Sequence, residues 1–312
     1  MDFTDKKLLV IGDIILDEYI EGTVTRISPE APIPILDKKK HYYRLGGATN
    51  VARNLKSLGA NVWIIGRIGE DAGGEQVKHL LSEERINIDL LLHNSTIPTI
   101  VKTRFVGGGQ QLLRVDYEDR TEINKDPNFM EAFNMDLEQH MKYFDGIILS
   151  DYNKGVVVPE IIQHISCLQH QYQKVVTADT HKTDWNLFKG FTCLTPNRIE
   201  FQQQCREPLT DLKVLSRYAT KLREKYGLEQ LMVTLSEEGI LLVTEDGQKH
   251  LPVQKKDIVD VTGAGDTVIA VYTLGLTAGL NPYDAVALAN KAAGVVVSKM
   301  GTATVTPEEL WA

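Results

Sequence analysis

Cysteine is scarce: three residues in 312, Cys167, Cys193 and Cys205, too far apart for the close pairs of a zinc site and too few for a disulfide framework. They read as structural thiols of a chain kept in a reducing cytoplasm. No uncharged apolar stretch reaches the ~18 residues that suggest a membrane span. The amino terminus, Met1-Asp2-Phe3-Thr4-Asp5-Lys6-Lys7, carries acidic residues and leads straight into a short apolar run, unlike a signal peptide. Excess positive charge is also missing. A net charge of −8 and a pI near 5.5 argue against broad binding to nucleic acid or an anionic membrane, while leaving room for a local basic pocket. Internal repeats, low-complexity tracts and Pro-rich linkers are absent, so residues 1–312 are expected to form one domain, although the length exceeds the ~150 residues of a soft one-domain prior. Neither a Gly-Lys-Ser/Thr phosphate loop nor a Gly-x-Gly-x-x-Gly turn after the first apolar run occurs.

What is present is enough apolar material for a large core, 43% of residues against 24% charged. It is arranged in short continuous runs: 8–13, 61–66, 146–151, 174–179 and 230–235. Such runs suit strands buried on both faces, and their alternation with helix-like segments predicts an α/β, doubly wound, mainly parallel sheet with right-handed crossovers. Ligands of such sheets gather beyond the carboxyl ends of the strands, where Asp13, Asp151 and Asp179 fall. Residues 17–44 and 98–118 instead alternate polar and apolar, as in Ile100-Val101-Lys102-Thr103-Arg104-Phe105-Val106. They predict a small inserted β-sheet that serves as a lid or a dimer surface.

Gly263-Ala264-Gly265-Asp266 precedes a helix-like run, so its small residues would sit at a helix amino terminus with free N–H groups and positive dipole character. A phosphate can approach such a backbone closely, and a carboxylate there can take the proton of an attacking hydroxyl. Taken alone the turn could equally be a tight bend capped by Asp266. A second glycine segment, Gly46-Gly47-Ala48-Thr49-Asn50-Val51-Ala52, also precedes a helix, and it too could be a packing turn. Pro196-Asn197-Arg198-Ile199-Glu200 reads as a helix start with Glu200 near its dipole.

The two glycine segments, in this order and separated by more than 200 residues, resemble the paired signatures of the ribokinase-like, PfkB-type sugar kinases, and the resemblance spans nearly the whole chain. It implies an ATP-dependent kinase in which Asp266 is the catalytic base and Gly263, Ala264 and Gly265 form the anion hole. It assigns Asn197 and Glu200 to an Asn-x-x-Glu motif supporting Mg²⁺ and phosphates through water, which suits an ion that keeps several waters. It places Asn197, Ser236, Gly239, Gly265 and Asn290 around the nucleotide, and Asp260 and Thr262 at a monovalent-cation (K⁺) site. Ala287, Ala289, Ala292, Ala293 and Gly294 around Asn290 could instead serve close helix packing.

Arg26 to Pro34, Gln110 to Asp116 and Ser150-Asp151-Tyr152-Asn153-Lys154-Gly155 resemble, within that family, the D-glycero-β-D-manno-heptose 7-phosphate kinases. The implied reaction phosphorylates the anomeric hydroxyl to the 1,7-bisphosphate, on the route to ADP-heptose; other sugar, sugar phosphate or nucleoside kinases, and a non-catalytic binding regulator, remain alternatives. An acceptor that carries a phosphate needs cations, and Lys102, Arg104, Arg114 and Lys154 fall near the lid or strand ends. Asp13, Gly46, Gly47, Asn50 and Asp151 complete the expected acceptor contacts, and a homodimer through the lid is expected. Departures are Gly107-Gly108-Gly109 where bulkier or polar residues are usual, Val261 and Val268 beside the base, and Thr180-His181-Lys182 after the strand-end Asp179. No adenylyltransferase region follows the kinase region before Ala312, so the nucleotidyl-transfer step is expected to fall to another protein.

Overall fold

The computed structural model describes residues 2–209, 211–253 and 258–312. In chain order the strands are β1 (Lys7–Gly12), β2 (Ile14–Ile27), β3 (Pro34–Gly47), β4 (Asn61–Ile65), β5 (Arg67–Gly69), β6 (Leu92–Asn94), β7 (Ile100–Gly107), β8 (Gln110–Tyr117), β9 (Gly146–Asp151), β10 (Val175–Thr180), β11 (Cys193–Leu194), β12 (Gln230–Thr234), β13 (Ile240–Val243) and β14 (Gln248–Leu251). The helices are α1 (Ala48–Ser57), α2 (Ala72–Glu83), α3 (Pro127–His140), α4 (Pro159–Tyr172), α5 (Arg198–Gln203), α6 (Leu212–Lys225), α7 (Ala264–Thr277), α8 (Pro282–Val296) and α9 (Pro307–Trp311).

The main sheet has eight strands in the order β14-β13-β12-β11-β10-β9-β1-β4, parallel from β12 to β4 and antiparallel through β13 and β14. The continuous apolar runs are explained by burial on both faces. Leu8 and Val10 of β1, with Ile148 of β9, join the core shared with α1, α7 and α8, whereas Leu9, Ile11, Ile147 and Leu149 join the core shared with α3, α4 and α6. From β1 the chain moves outward to β4, then returns to β9 on the other side of β1 and proceeds through β10, β11 and β12. The strand order therefore reverses between β1 and β9, where α/β sheets open a crevice at their carboxyl ends.

The polar-alternating segments form a separate four-stranded sheet, β3-β2-β7-β8, in which β2 pairs antiparallel with β3 and parallel with β7. It grows directly out of the crevice, because β2 begins one residue after Asp13 and β3 ends at Gly47, the residue before α1. Its outermost strand β8 is exposed along its whole length, with Leu113, Val115 and Tyr117 among its solvent-facing apolar side chains. Among the described residues, no helix is long and apolar enough to cross a membrane.

Candidate active site

Asp13 is the joint of the crevice. Its backbone carbonyl accepts the N–H of Ala48 at 3.0 Å, starting α1, and its fully buried carboxylate accepts the N–H groups of Tyr152 (2.9 Å), Lys154 (3.0 Å) and Val156 (3.0 Å). Burial, then the nearby Asp151 charge, pushes its carboxyl up to about 6, against these three donors. The sequence suggests Asp13 as a contact for sugar hydroxyls; its carboxylate also holds the loop after β9. Gly47 bends the chain here with φ +57°, and a Cβ on it would lie 2.4 Å from the Asp13 carbonyl oxygen, so only glycine fits. Gly46 packs as closely, a Cβ there standing 2.5 Å from the Asp17 carboxylate.

The two glycine segments meet. Asn50, on the first turn of α1, donates from Nδ2 to Asp266 Oδ2 at 2.7 Å, and Tyr152 donates its hydroxyl to Asp266 Oδ1 at 2.7 Å. Behind them Asn54 donates to the Asn50 carbonyl at 2.9 Å and accepts from Thr267 Oγ1 at 2.9 Å, a buried polar seam between α1 and α7. The side-chain oxygen of Asn50 is buried with no hydrogen-bond partner among the described residues. Burial raises the Asp266 carboxyl to about 6, with the Asn50 and Tyr152 hydrogen bonds opposing it and the Asp17 charge adding to it.

Helix α7 begins without a side-chain cap. The N–H of Ala264 turns back to Val261 (3.2 Å), and that of Thr267 makes the first helical bond, to Gly263 (3.0 Å); the N–H groups of Gly265 and Asp266 stand between them. This is an uncapped helix start of the kind that receives anions. Gly265 is exposed, and the nearest atom to a Cβ built on it would be Asp179 Oδ2 at 3.9 Å, so Asp179 at the end of β10 faces the turn from across the crevice. Burial, then the charges of Glu200 and Asp266, raises the Asp179 carboxyl to about 8.

Asn197 and Glu200 form a capping box at α5: Asn197 Oδ1 accepts from the N–H groups of Ile199 and Glu200, and Glu200 accepts from that of Asn197 at 2.8 Å. The other Glu200 oxygen meets His181 Nδ1 at 2.6 Å, and this bond is the main reason the imidazole titrates above its ordinary range. The His181 ring stands edge-on to Tyr152, centroids 5.9 Å apart. Asp151, nearly buried, accepts from Thr180 (2.7 Å) and from the N–H of Asn153 (2.9 Å), with the Lys182 ammonium 3.9 Å away.

The four expected acceptor cations are all engaged with carboxylates: Lys102 and Arg114 with Asp116 (3.2 and 2.7 Å), Arg104 with Asp17 (2.5 Å) and Lys154 with Glu118 (2.5 Å). Register places Lys102, Arg104, Arg114, Asp17 and Asp116 on one face of the four-stranded sheet as neighbouring cross-strand pairs, with Arg44 opposite Asp17 on the same face. Lys154 lies apart, on the loop held by Asp13.

Ser236 and Gly239 shape the turn between β12 and β13, with φ +52° and +94°. Asn290, on α8, donates to the Pro252 carbonyl at 3.0 Å. Asp260 accepts from the N–H groups of Thr262 and Gly301, both at 2.9 Å, while Thr262 itself is exposed. None of these reaches Asp266 through a direct hydrogen bond recorded among the described residues. Sequence reasoning missed Tyr152, His181 and Asn54. Tyr152 lay in a segment singled out for its resemblance, but its hydroxyl meets Asp266 only because β9 and α7, more than a hundred residues apart, converge on one crevice.

The profile of the pfkB family carbohydrate kinases matches residues 5–309. The chain belongs to this family. It is a sugar kinase by that membership. Among similar proteins, bifunctional protein HldE of Trichlorobacter lovleyi is 38% identical over 305 residues, covering 97% of this chain and 62% of its own length. HldE of Helicobacter pylori strain HPAG1 is 40% identical over 307 residues, covering 98% and 65%. The chain thus spans somewhat less than two thirds of these relatives. Ribokinase of Arabidopsis thaliana, solved with ribose and ATP, superposes with a TM-score of 0.76 at 18% identity over 100% of this chain and 98% of that one. Phosphofructokinase-2 of Escherichia coli, solved with substrates and products, gives 0.81 at 18% identity over 98% and 97%. These structures share the ribokinase-like fold of the pfkB kinase.

Proposed function

We propose that this kinase transfers the γ-phosphoryl group of ATP to the anomeric hydroxyl of D-glycero-β-D-manno-heptose 7-phosphate, with Asp266 as general base. The observation that carries the reading is the convergence of both glycine segments on one carboxylate at an uncapped helix start. Asp266 is held by Asn50 and Tyr152, and the Gly265 and Asp266 N–H groups lie beside it. Similarity to the HldE proteins and the heptose-kinase-like segments support the heptose acceptor.

Phosphoryl transfer asks the protein chiefly for positioning and charge stabilisation. The acceptor hydroxyl would donate its proton to an Asp266 oxygen as it attacks in line, and the buried, unpartnered Asn50 side-chain oxygen offers an acceptor for a neighbouring sugar hydroxyl. The uncapped α7 terminus would receive the transferring group. The lid face, where cations outnumber carboxylates, suits the distal phosphate, which would exchange for Asp116 or Asp17 as a partner of Lys102, Arg104 or Arg114.

Among the described residues, no group of three or more His, Cys, Asp or Glu side chains is arranged to hold a metal. The carboxylate of Glu200 is already engaged by the Asn197 N–H and His181. Such residues fit Mg²⁺ held through water and nucleotide phosphates rather than in a protein cage, with Asn197 and Glu200 as outer partners. When bound there it would neutralise charge on the β- and γ-phosphates. For K⁺, Asp260 and Thr262 are the proposed site: Asp260 ties the segment before the anion hole to Gly301, and phosphofructokinase-2 of Escherichia coli has been solved with potassium.

Incubation with ATP and the heptose 7-phosphate is expected to yield ADP and a heptose bisphosphate whose new phosphate mass spectrometry and ³¹P NMR place on the anomeric carbon. ADP formation only with an unphosphorylated sugar, a nucleoside or fructose 6-phosphate would discard the heptose reading. The exposed strand β8, with Leu113, Val115 and Tyr117, supports a homodimer through the lid sheet. Sedimentation should show a dimer that Leu113→Asp with Val115→Asp dissociates; a monomeric wild type would remove that part of the proposal.

A further inference from the structure

The segment Ser150 to Gly155 was singled out by resemblance, yet neither the anion hole nor the acceptor cations account for its aromatic residue. We propose that Tyr152 is a positioning residue for phosphoryl transfer, its hydroxyl fixing the orientation and proton affinity of the Asp266 carboxylate from the side opposite Asn50. This rests on the reading of Asp266 as the base.

The geometry is built from three independent anchors. The Tyr152 hydroxyl reaches Asp266 Oδ1 at 2.7 Å while Asn50 holds Oδ2 at 2.7 Å, so the carboxylate is gripped at both oxygens and its rotation about χ2 is blocked. The Tyr152 backbone is in turn fixed by its N–H to the fully buried Asp13, which also takes the N–H groups of Lys154 and Val156. The loop between is sharply bent, with Asn153 left-handed at φ +57° and its N–H on Asp151. Finally the ring stands against His181, which is bonded to Glu200 of the Asn-x-x-Glu motif, so Tyr152 touches Asp266 directly and is linked to Glu200 through His181.

The direction of the hydrogen bond follows from chemistry. A carboxylate can only accept, so the phenol donates, and burial followed by the Asp266 charge holds that phenol protonated well above its ordinary range. A donor to the ionised form favours that form. Tyr152 therefore opposes the protonation of Asp266 that burial and Asp17 favour. The charged and titratable groups acting on Asp266 are Asp17 from β2, Tyr152 from the loop after β9 and Asp179 from β10; Asn50 from α1 is neutral.

The test compares wild type with Tyr152→Phe, which removes one oxygen and keeps the ring against His181. Two measurements are made on folded protein of matched thermal midpoint: the ¹³C NMR titration of the Asp266 carboxyl, identified by its loss in Asp266→Asn, and the pH profile of kcat/KM with the accepted sugar phosphate. In Tyr152→Phe the Asp266 titration and the acid limb are expected to move together to higher pH by about one unit, a tenfold change in protonation, with kcat falling more than KM rises. An unchanged Asp266 titration, or a loss of activity with the acid limb in place, overturns the proposal. The titration needs no acceptor, so it decides the matter even where the heptose reading fails. Failure of Asp266 as the base would show separately, as retained turnover in Asp266→Asn.

Discussion

Asp266→Asn is expected to lower kcat by about 10²- to 10⁴-fold while leaving the fold and nucleotide binding intact, the range that a positioned general base supplies. The substitution keeps the shape of the side chain but removes the site that takes the proton. Its amide oxygen can still accept from Tyr152, while its NH₂ group would face the Asn50 NH₂. That conflict resolves locally: the Asn50 side-chain oxygen has no partner, so turning the Asn50 amide over pairs it with the new donor. Because Asp266 is buried and raised to about 6, an uncharged replacement also removes a desolvated carboxylate, and the thermal midpoint should not fall. Steady-state turnover, a nucleotide titration and a melting curve check the three parts. Near-normal turnover in the purified variant would end the assignment of Asp266 as base.

The parts of this architecture that were readable in the sequence are those set by local pattern. Leu8 to Ile11 and Ile147 to Leu149 announce buried parallel strands because each strand must be apolar on both faces, and the four-stranded sheet announces itself by the polar residues along Ile100 to Val106, which after Ile100 are half-buried on both faces. The glycine turns are legible for the same reason: Gly47 and Gly263 adopt positive φ, which only a residue without Cβ does freely. What the sequence hides is how side chains are shared between elements. Asp13, at a strand end, is the expected kind of ligand contact, yet three backbone N–H groups from a loop far along the chain claim its carboxylate. Lys102, Arg104, Arg114 and Lys154 read as cations awaiting a phosphate, yet cross-strand and loop carboxylates pair with all of them. Charge type is written in a residue; which charge it meets is decided by register and strand order.

Gly263→Ala carries the second large expected effect, a drop in kcat of about 10- to 100-fold. Gly263 sits at φ +79°, where an L-residue pays roughly 1–2 kcal/mol, and its added Cβ would stand 2.7 Å from Asn50 Nδ2. That nitrogen is the atom holding Asp266 Oδ2, so the cheapest relief, rotating Asn50 aside, releases one oxygen of the proposed base. The alternative relief, shifting the turn itself, moves the Gly263 carbonyl that accepts from the N–H of Thr267, disturbing the start of α7. A loss of about 2 kcal/mol in transition-state stabilisation corresponds to roughly 30-fold in rate, the middle of the expected range. The route can be separated from general damage by a double-mutant cycle with Asn50→Ala, which removes the clashing amide. If the strain acts through Asn50, Gly263→Ala should cost markedly less in the Asn50→Ala background than in wild type. Equal costs in the two backgrounds would place the effect in the helix start alone and sever the link between the early and late glycine segments.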